Sequence, residues 1–362
     1  MEPHALTTST ARVPATPVAA SGLPRLVAGA NALVTGDKGL LAIDESIPTC
    51  NRRFARLGIA QTEYNRRAYR ELIVTTPGLG DSITGVILCD ETIRQHTTDG
   101  HAFATVLVGA GIVPGIKVDL GAKPLAAHPG EKVTEGLDGL RERLAEYAAL
   151  GARFAKWRAV FTIGERVPSR ACVQANAHAL ARYAALCQEA DLVPIVEPEV
   201  LMTGEHTLSR CGRVTEDVLR EVFSELHTQG VLLEGMLLKT NMVLPALTCR
   251  IQPAVEAVAE ATICCLRRTV PAAVAGIVFL SGGQSGDLAT ARLNAINAAG
   301  RPPLPWPVAF SYGRAIQQPA LSIWDGRHTN AGRAQQAIAQ RAKANRDARR
   351  GEYAQTAILA PA

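Results

Sequence analysis

The chain reads as a single-domain α/β protein, a (β/α)8 TIM barrel. Two observations predict it. Eight short apolar runs recur at starts roughly 30 to 45 residues apart, and each ends in polar or glycine residues. The stretches between them carry helical periodicity, as parallel strands joined by crossover helices require.

The runs follow in order. The first is Gly39–Ile43, ending at Asp44, and the second is Thr84–Cys89. The third, Gly115–Val118, ends at Asp119, and the fourth is Phe154–Val160. The fifth, Val193–Val196, ends in Glu197-Pro-Glu199. The sixth, Gly235–Leu238, ends at Lys239; the seventh, Ala275–Leu280, ends in Ser281-Gly-Gly. The eighth, Pro307–Phe310, ends in Ser311-Tyr-Gly-Arg314. Short apolar runs bounded by turn formers are the mark of strands buried on both faces. Between them, Leu137, Leu140, Leu144 and Tyr147 repeat at helical spacing, as do Val218, Val222 and Leu226. Residues 261–270 read as a helix that Pro271 stops. An open doubly wound sheet is the alternative, but its Gly-x-Gly-x-x-Gly turn is missing after the first strand. Gly109-Ala-Gly111 precedes a strand and reads as a plain loop.

Three segments are expected: a disordered tail over residues 1–22, the barrel over 23–328, and a C-terminal helix and tail over 329–362. The first segment is rich in Ala, Thr, Ser and Pro and lacks the apolar stretch of a secretory signal. No apolar run reaches the ~18 residues that span a bilayer, so no membrane partner is expected. The chain has 362 residues, 47% of them hydrophobic, and a formal net charge of +5. Such a mild excess suits anionic small molecules and does not call for nucleic acid. The densest basic run, Arg341, Lys343, Arg346, Arg349 and Arg350, is expected to be the solvated face of a helix. The eight cysteines form no Cys-x-x-Cys pair and are expected as free thiols in a cytoplasmic protein.

Ionisable residues crowd the carboxyl ends of the runs, where barrel enzymes place their chemistry. Asp44 closes the first run, Lys117 lies in the third, and Lys156 and Arg158 share a face of the fourth. Glu197 and Glu199 follow the fifth, Lys239 closes the sixth and Arg314 follows the eighth. Each has a structural alternative: Asp44 as a helix cap, Lys156 as an ion-pair partner of Glu197 or Glu199. Together they fit carbonyl chemistry. A neutral lysine amine forms a Schiff base, a second cation such as Lys156 favours neutrality, and carboxylates move the protons. Asp44 can take a hydroxyl proton while a C–C bond breaks into the imine. Cations and the Ser281-Gly282-Gly283 turn can hold phosphates. None of the eight histidines falls on a strand end, which argues against a metal site, and no cofactor is expected.

At this point the motifs Leu41-Ala-Ile-Asp-Glu-Ser46, Gly115-Ile-Lys-Val-Asp119, Phe154-Ala-Lys-Trp-Arg158, Val193-Pro-Ile-Val-Glu-Pro-Glu199, Leu237-Leu-Lys-Thr-Asn-Met242, Phe279-Leu-Ser-Gly-Gly-Gln-Ser285 and Phe310-Ser-Tyr-Gly-Arg314 resemble those of class I fructose-1,6-bisphosphate aldolases, from about Leu33 to about Tyr353. The resemblance implies a lyase that reversibly cleaves fructose 1,6-bisphosphate to glycerone phosphate and glyceraldehyde 3-phosphate. It implies a homo-oligomer, a tetramer, in glycolysis or gluconeogenesis. Lys239 would carry the imine at C2, Glu197 would handle carbinolamine protons, and Asp44 would be the base at the C4 hydroxyl. Lys156 and Glu199 would support that site. Lys117 and Arg158 would position substrate. Ser281, Gly282, Gly313 and Arg314 would hold the C1 phosphate. Ser46 and Thr49 would lie near the C6 phosphate, with Arg52 and Arg53 at the rim. Fructose 1-phosphate and sedoheptulose 1,7-bisphosphate remain alternative substrates. Thr240 stands where the family often has proline. The family usually ends in a tyrosine that serves the active site; here the last tyrosine is Tyr353 and the last residue Ala362.

Overall fold

The computed structural model describes residues 22–298 and 302–354. The expected tail therefore lies, apart from Gly22, outside the described residues, as does the end of the chain after Ala354. The strands are β1 (Gly39–Ala42), β2 (Ile83–Leu88), β3 (Val113–Lys117), β4 (Ala122–Pro124), β5 (Lys132–Thr134), β6 (Phe154–Phe161), β7 (Val193–Val200), β8 (Leu237–Thr240), β9 (Gly276–Phe279) and β10 (Val308–Tyr312). Eight of them close into a barrel in the order β1-β10-β9-β8-β7-β6-β3-β2, and β4 and β5 form a separate antiparallel hairpin. All eight runs named from the sequence are barrel strands. Every barrel pairing is parallel.

Two layers of apolar packing hold the barrel. Inside it, Leu40, Phe154, Ile195, Leu237, Val278 and Ala309 meet one another. The helix Leu23–Val34 closes the amino end by adding Leu26, Ala30, Leu33 and Val34 to that cluster. Its plugging role has no strand-like or crossover pattern to announce it in the sequence. Phe154 fills the barrel because Gly115 stands opposite: a Cβ there would lie 2.2 Å from the Phe154 ring. Outside, a continuous core joins strands to helices, with Trp157, Tyr183, Phe54 and Tyr69 fully buried. Each such side chain contributes roughly 1.5–3 kcal/mol by leaving water.

The crossover helices begin where hydroxyl caps satisfy a free backbone N–H. Ser169 accepts from Cys172, Thr207 from Arg210 and Ser285 from Leu288, opening helices Arg170–Glu189, Leu208–Thr228 and Gly286–Ile296. The expected helix over 261–270 is the second half of Val255–Thr269. No helix among the described residues is long and apolar enough to cross a membrane. All eight cysteines are free.

Two expectations need correction. Strand β7 does not stop at Val196: it runs through Glu197, Pro198 and Glu199 to Val200, buried along its length. A proline beside two acids reads as a strand end, but the barrel interior gives both acids cationic partners. The basic C-terminal run is not wholly a solvated face. In the helix Ala331–Arg349, Arg341 and Arg349 are each only 8% exposed. Arg341 pairs with Asp287 and donates to Thr290 Oγ1 at 2.9 Å, while Arg349 donates to the Val34 and Lys38 carbonyls. Arg346 and Arg350 share Asp37 at 2.8 and 2.9 Å. These arginines clamp the helix to the barrel.

Candidate active site

A cleft of about 1040 Å³ opens at the carboxyl end of the barrel. It is lined by every residue the sequence nominated: Asp44, Ser46, Thr49, Arg53, Lys117, Lys156, Arg158, Glu197, Glu199, Lys239, Ser281, Gly282, Gly313 and Arg314. No histidine is among its lining residues.

Backbone register explains the convergence. The β7–β8 ladder pairs Ile195 with Leu237 and Val196 with Leu238, so Glu197 and Lys239 stand one step further on. Lys239 Nζ lies 3.2 Å from Glu197 Oε1, and both residues are buried. On the other side, β3 and β6 set Lys117 directly against Lys156. Like charges so placed repel, and each needs its own acid. Lys117 Nζ finds Asp119, 2.6 Å from Oδ1. Lys156 Nζ sits between Asp44 Oδ2 at 2.7 Å and Glu197 Oε2 at 3.1 Å.

Asp44, Lys156, Glu197 and Lys239 thus form one chain of alternating charge. Burial alone would raise the Asp44 carboxyl; the charges of Lys156 and Lys239 outweigh it and hold Asp44 well below the usual carboxylate range. Burial would likewise drive Lys156 toward neutrality, but Asp44 and Glu197 raise it, so Lys156 stays an ammonium. Asp44 is not a helix cap; the cap position before Ile47–Ala55 is Ser46. The structural ion pair weighed for Lys156 and Glu197 does exist, and it forms part of the cleft wall.

The rim is cationic and rich in hydroxyls. Ser46 Oγ donates to Thr49 Oγ1 at 3.1 Å, and exposed Arg52 donates to the same Thr49 oxygen at 2.9 Å. Arg158 pairs with Glu199, its diagonal neighbour across the β6–β7 ladder. Gly282 and Gly283 follow Ser281 at φ +57° and +81°, a turn that side chains rarely allow. The N–H groups of Gly282 and Gly283 find no acceptor among the described residues. Gly313 precedes the helix Arg314–Trp324, whose first turn points into the same corner of the cleft.

Arg53 departs from the rim placement. It is buried and paired with Glu45, and Glu45 also takes Arg70 at 2.8 Å. Gln317 bridges the cluster, donating to Glu45 at 2.9 Å and to the Ala42 carbonyl at 2.6 Å. Arg53 therefore underlies the loop after β1 instead of edging it. Sequence reasoning did not nominate Glu45, Gln317 or Asp119. Asp119 was visible as a strand end, but its grip on Lys117 and on the Arg158 N–H at 3.2 Å was not.

Two lysines that share one buried glutamate, in a barrel mouth edged with cations, make a site suited to an amine nucleophile and an anionic substrate. A family model described as "Fructose-bisphosphate aldolase class-I" matches residues 25–360. A "Probable fructose-bisphosphate aldolase class 1" of Xanthomonas campestris is 57% identical over 91% of this chain and 99% of its own. Arabidopsis thaliana "Fructose-bisphosphate aldolase 6, cytosolic" is 50% identical over 91% of each chain. A solved fructose-bisphosphate aldolase from Plasmodium falciparum, in complex with TRAP and a small-molecule inhibitor, superposes with a TM-score of 0.91. It is 45% identical, covering 93% of this chain and 97% of that one. The chain belongs to the class I fructose-bisphosphate aldolases.

Proposed function

We propose that this chain reversibly cleaves fructose 1,6-bisphosphate into glycerone phosphate and glyceraldehyde 3-phosphate, with Lys239 as the Schiff-base lysine. The Lys239–Glu197 contact of 3.2 Å carries the reading. Glu197 takes a proton from the Lys239 amine, which attacks the C2 carbonyl to give a carbinolamine. Glu197 then returns a proton to the departing hydroxyl, water leaves, and a protonated imine remains. Asp44 accepts the C4 hydroxyl proton. The C3–C4 bond breaks, the aldehyde leaves, and the electron pair moves into the enamine. The proton taken up by Asp44 is given back, directly or through solvent, to C3 of the enamine, and hydrolysis of the imine releases glycerone phosphate and restores Lys239 and Asp44.

Lys156 keeps Asp44 ionised and sets its field over the reacting oxygens. Glu199 holds Arg158, while Lys117 and Arg158 position the sugar chain. Ser281, Gly282, Gly313 and Arg314 seat one phosphate through backbone N–H groups and charge. Ser46 and Thr49 serve the other, with Arg52 beside them and Arg53 fixing their loop through Glu45. Family membership supports two further parts of the proposal: a homo-tetramer, and a cytoplasmic location like that of the relatives named cytosolic.

The test is Lys239→Ala. The variant keeps the wild-type circular dichroism spectrum and loses cleavage of fructose 1,6-bisphosphate. A folded variant that turns over at the wild-type rate would remove Lys239 from the mechanism.

A further inference from the structure

Behind the Ser281–Gln284 turn lies a cation that the mechanism does not use. Arg292, on the helix Gly286–Ile296, is 4% exposed. Its Nη1 donates to Gln284 Oε1 at 2.7 Å, and its Nε has no hydrogen-bond partner. No carboxylate among the described residues pairs with it, and burial pulls its guanidinium below the ordinary arginine value, opposed only by the Tyr312 phenol. Among the described residues, buried Arg53 and Arg70 have Glu45, Arg66 has Glu91 and Arg341 has Asp287, while buried Arg349 donates to two backbone carbonyls; Arg292 has neither an acid nor a backbone carbonyl. An arginine left unpaired in low dielectric is destabilising unless something nearby carries the opposite charge.

Gln284 links that cation to the cleft. Its Nε2 donates to the Ser281 carbonyl at 2.9 Å, and its own backbone N–H donates to the same oxygen at 3.0 Å. The line therefore runs from the Arg292 guanidinium through the Gln284 amide to the turn. We infer that Arg292 is a positioning residue for anion binding: it fixes the Ser281-Gly282-Gly283 turn through Gln284 and lends its unneutralised charge to a phosphate seated there. The inference rests on the reading of that turn as a phosphate seat. A dianion at the turn supplies the counter-charge that the protein itself omits, so substrate binding and the buried charge stabilise each other. Arg292 touches no reacting atom, so its effect falls on binding and not on the bond-breaking step.

Steady-state kinetics on the full-length chain test this. Arg292→Gln keeps a donor for Gln284 and removes the charge. It should raise the KM for fructose 1,6-bisphosphate about tenfold, as a unit charge acting over several ångströms at intermediate dielectric implies, and leave kcat within about twofold. Inorganic phosphate should weaken as a competitive inhibitor by a similar factor. Arg292→Lys keeps the charge and should recover most of the loss. Gln284→Glu neutralises Arg292 and also removes the Nε2 donor to the Ser281 carbonyl, so it should raise KM at least as far as Arg292→Gln, which covers the case in which Arg292→Gln does not fold. Equal impairment by Lys and Gln at position 292, or kcat falling as far as KM rises, would assign Arg292 a purely structural role and overturn the inference. Gly282→Ala, which disturbs the backbone N–H groups of the turn itself, separates the two layers. If it leaves KM and phosphate inhibition unchanged, the turn is not a phosphate seat. If it weakens both while Arg292→Gln and Gln284→Glu do not, the seat stands and the inference about Arg292 fails.

Discussion

Lys156→Met removes the central cation of the site while keeping much of its aliphatic volume. Lys156 Nζ lies 2.7 Å from Asp44 and 3.1 Å from Glu197, and Lys156 and Glu197 are each only 3% exposed. Taking one partner from a buried ion pair costs about 3–5 kcal/mol, because the other charge stays desolvated. The sign with pH follows from Asp44. In the wild type its carboxyl is depressed, since Lys156 and Lys239 outweigh burial. It therefore contributes stability above the unfolded-state pKa of about 3.9, and loses that contribution only as pH falls through the lower folded value. In the variant the strongest lowering charge is gone and burial acts against the charged form. Asp44 then titrates at higher pH and favours folding only once protonated. Urea unfolding at pH 8, 7, 6 and 5 is the assay. The stability gap between wild type and variant should be about 3–5 kcal/mol at pH 7 to 8 and should shrink steadily toward pH 5. The acid limb of kcat should move upward in parallel, because the base at the C4 hydroxyl is protonated sooner. A gap below about 1 kcal/mol, or one that does not change with pH, would refute the coupling of Lys156 to a buried, ionised Asp44.

Three other outcomes are expected. Glu197→Gln keeps the shape beside Lys239 but cannot accept its proton, so kcat should fall roughly 10²- to 10⁴-fold by turnover, and calorimetry should show a lowered unfolding temperature, because buried Lys156 and Lys239 lose the acid they share. Gly282→Ala forces a Cβ onto a φ of +57°, so it should destabilise the chain by about 1 kcal/mol and raise KM more than it lowers kcat. Arg341→Met breaks the half-buried link to Asp287 and the buried bond to Thr290 and should lower the unfolding free energy by roughly 1.5–3 kcal/mol with KM unchanged; a solvated arginine would leave stability within about 0.5 kcal/mol.

What the sequence disclosed depended on how locally each feature is encoded. Eight barrel strands were legible because a strand buried on both faces must be apolar over several consecutive residues, whatever its neighbours are. Lys239 and Lys156 stood out for the complementary reason: a lysine inside such a run needs a partner, and the strand ends supplied acids. Strand limits were less secure. At β7, Pro198 and two glutamates imitate a turn, and only the lysines of β6 and β8 make the buried extension favourable. Arg341 and Arg349 were misread because their partners, Asp287 and the carbonyls of Val34 and Lys38, are remote in sequence. Charge spacing within one helix reveals a solvated face only when nothing from elsewhere packs on it. Arg53 shows the same limit: its type and place near the loop after β1 were readable, but the Glu45 and Gln317 cluster that buries it was not.

The central claim is that the Lys239 amine attacks the sugar carbonyl. Incubation with fructose 1,6-bisphosphate, reduction with borohydride and peptide mapping by mass spectrometry test it most directly. The account predicts loss of activity together with a glycerone-phosphate-derived adduct on the peptide containing Lys239. An adduct mapped to Lys156 or Lys117, or full activity after reduction in the presence of substrate, would contradict it.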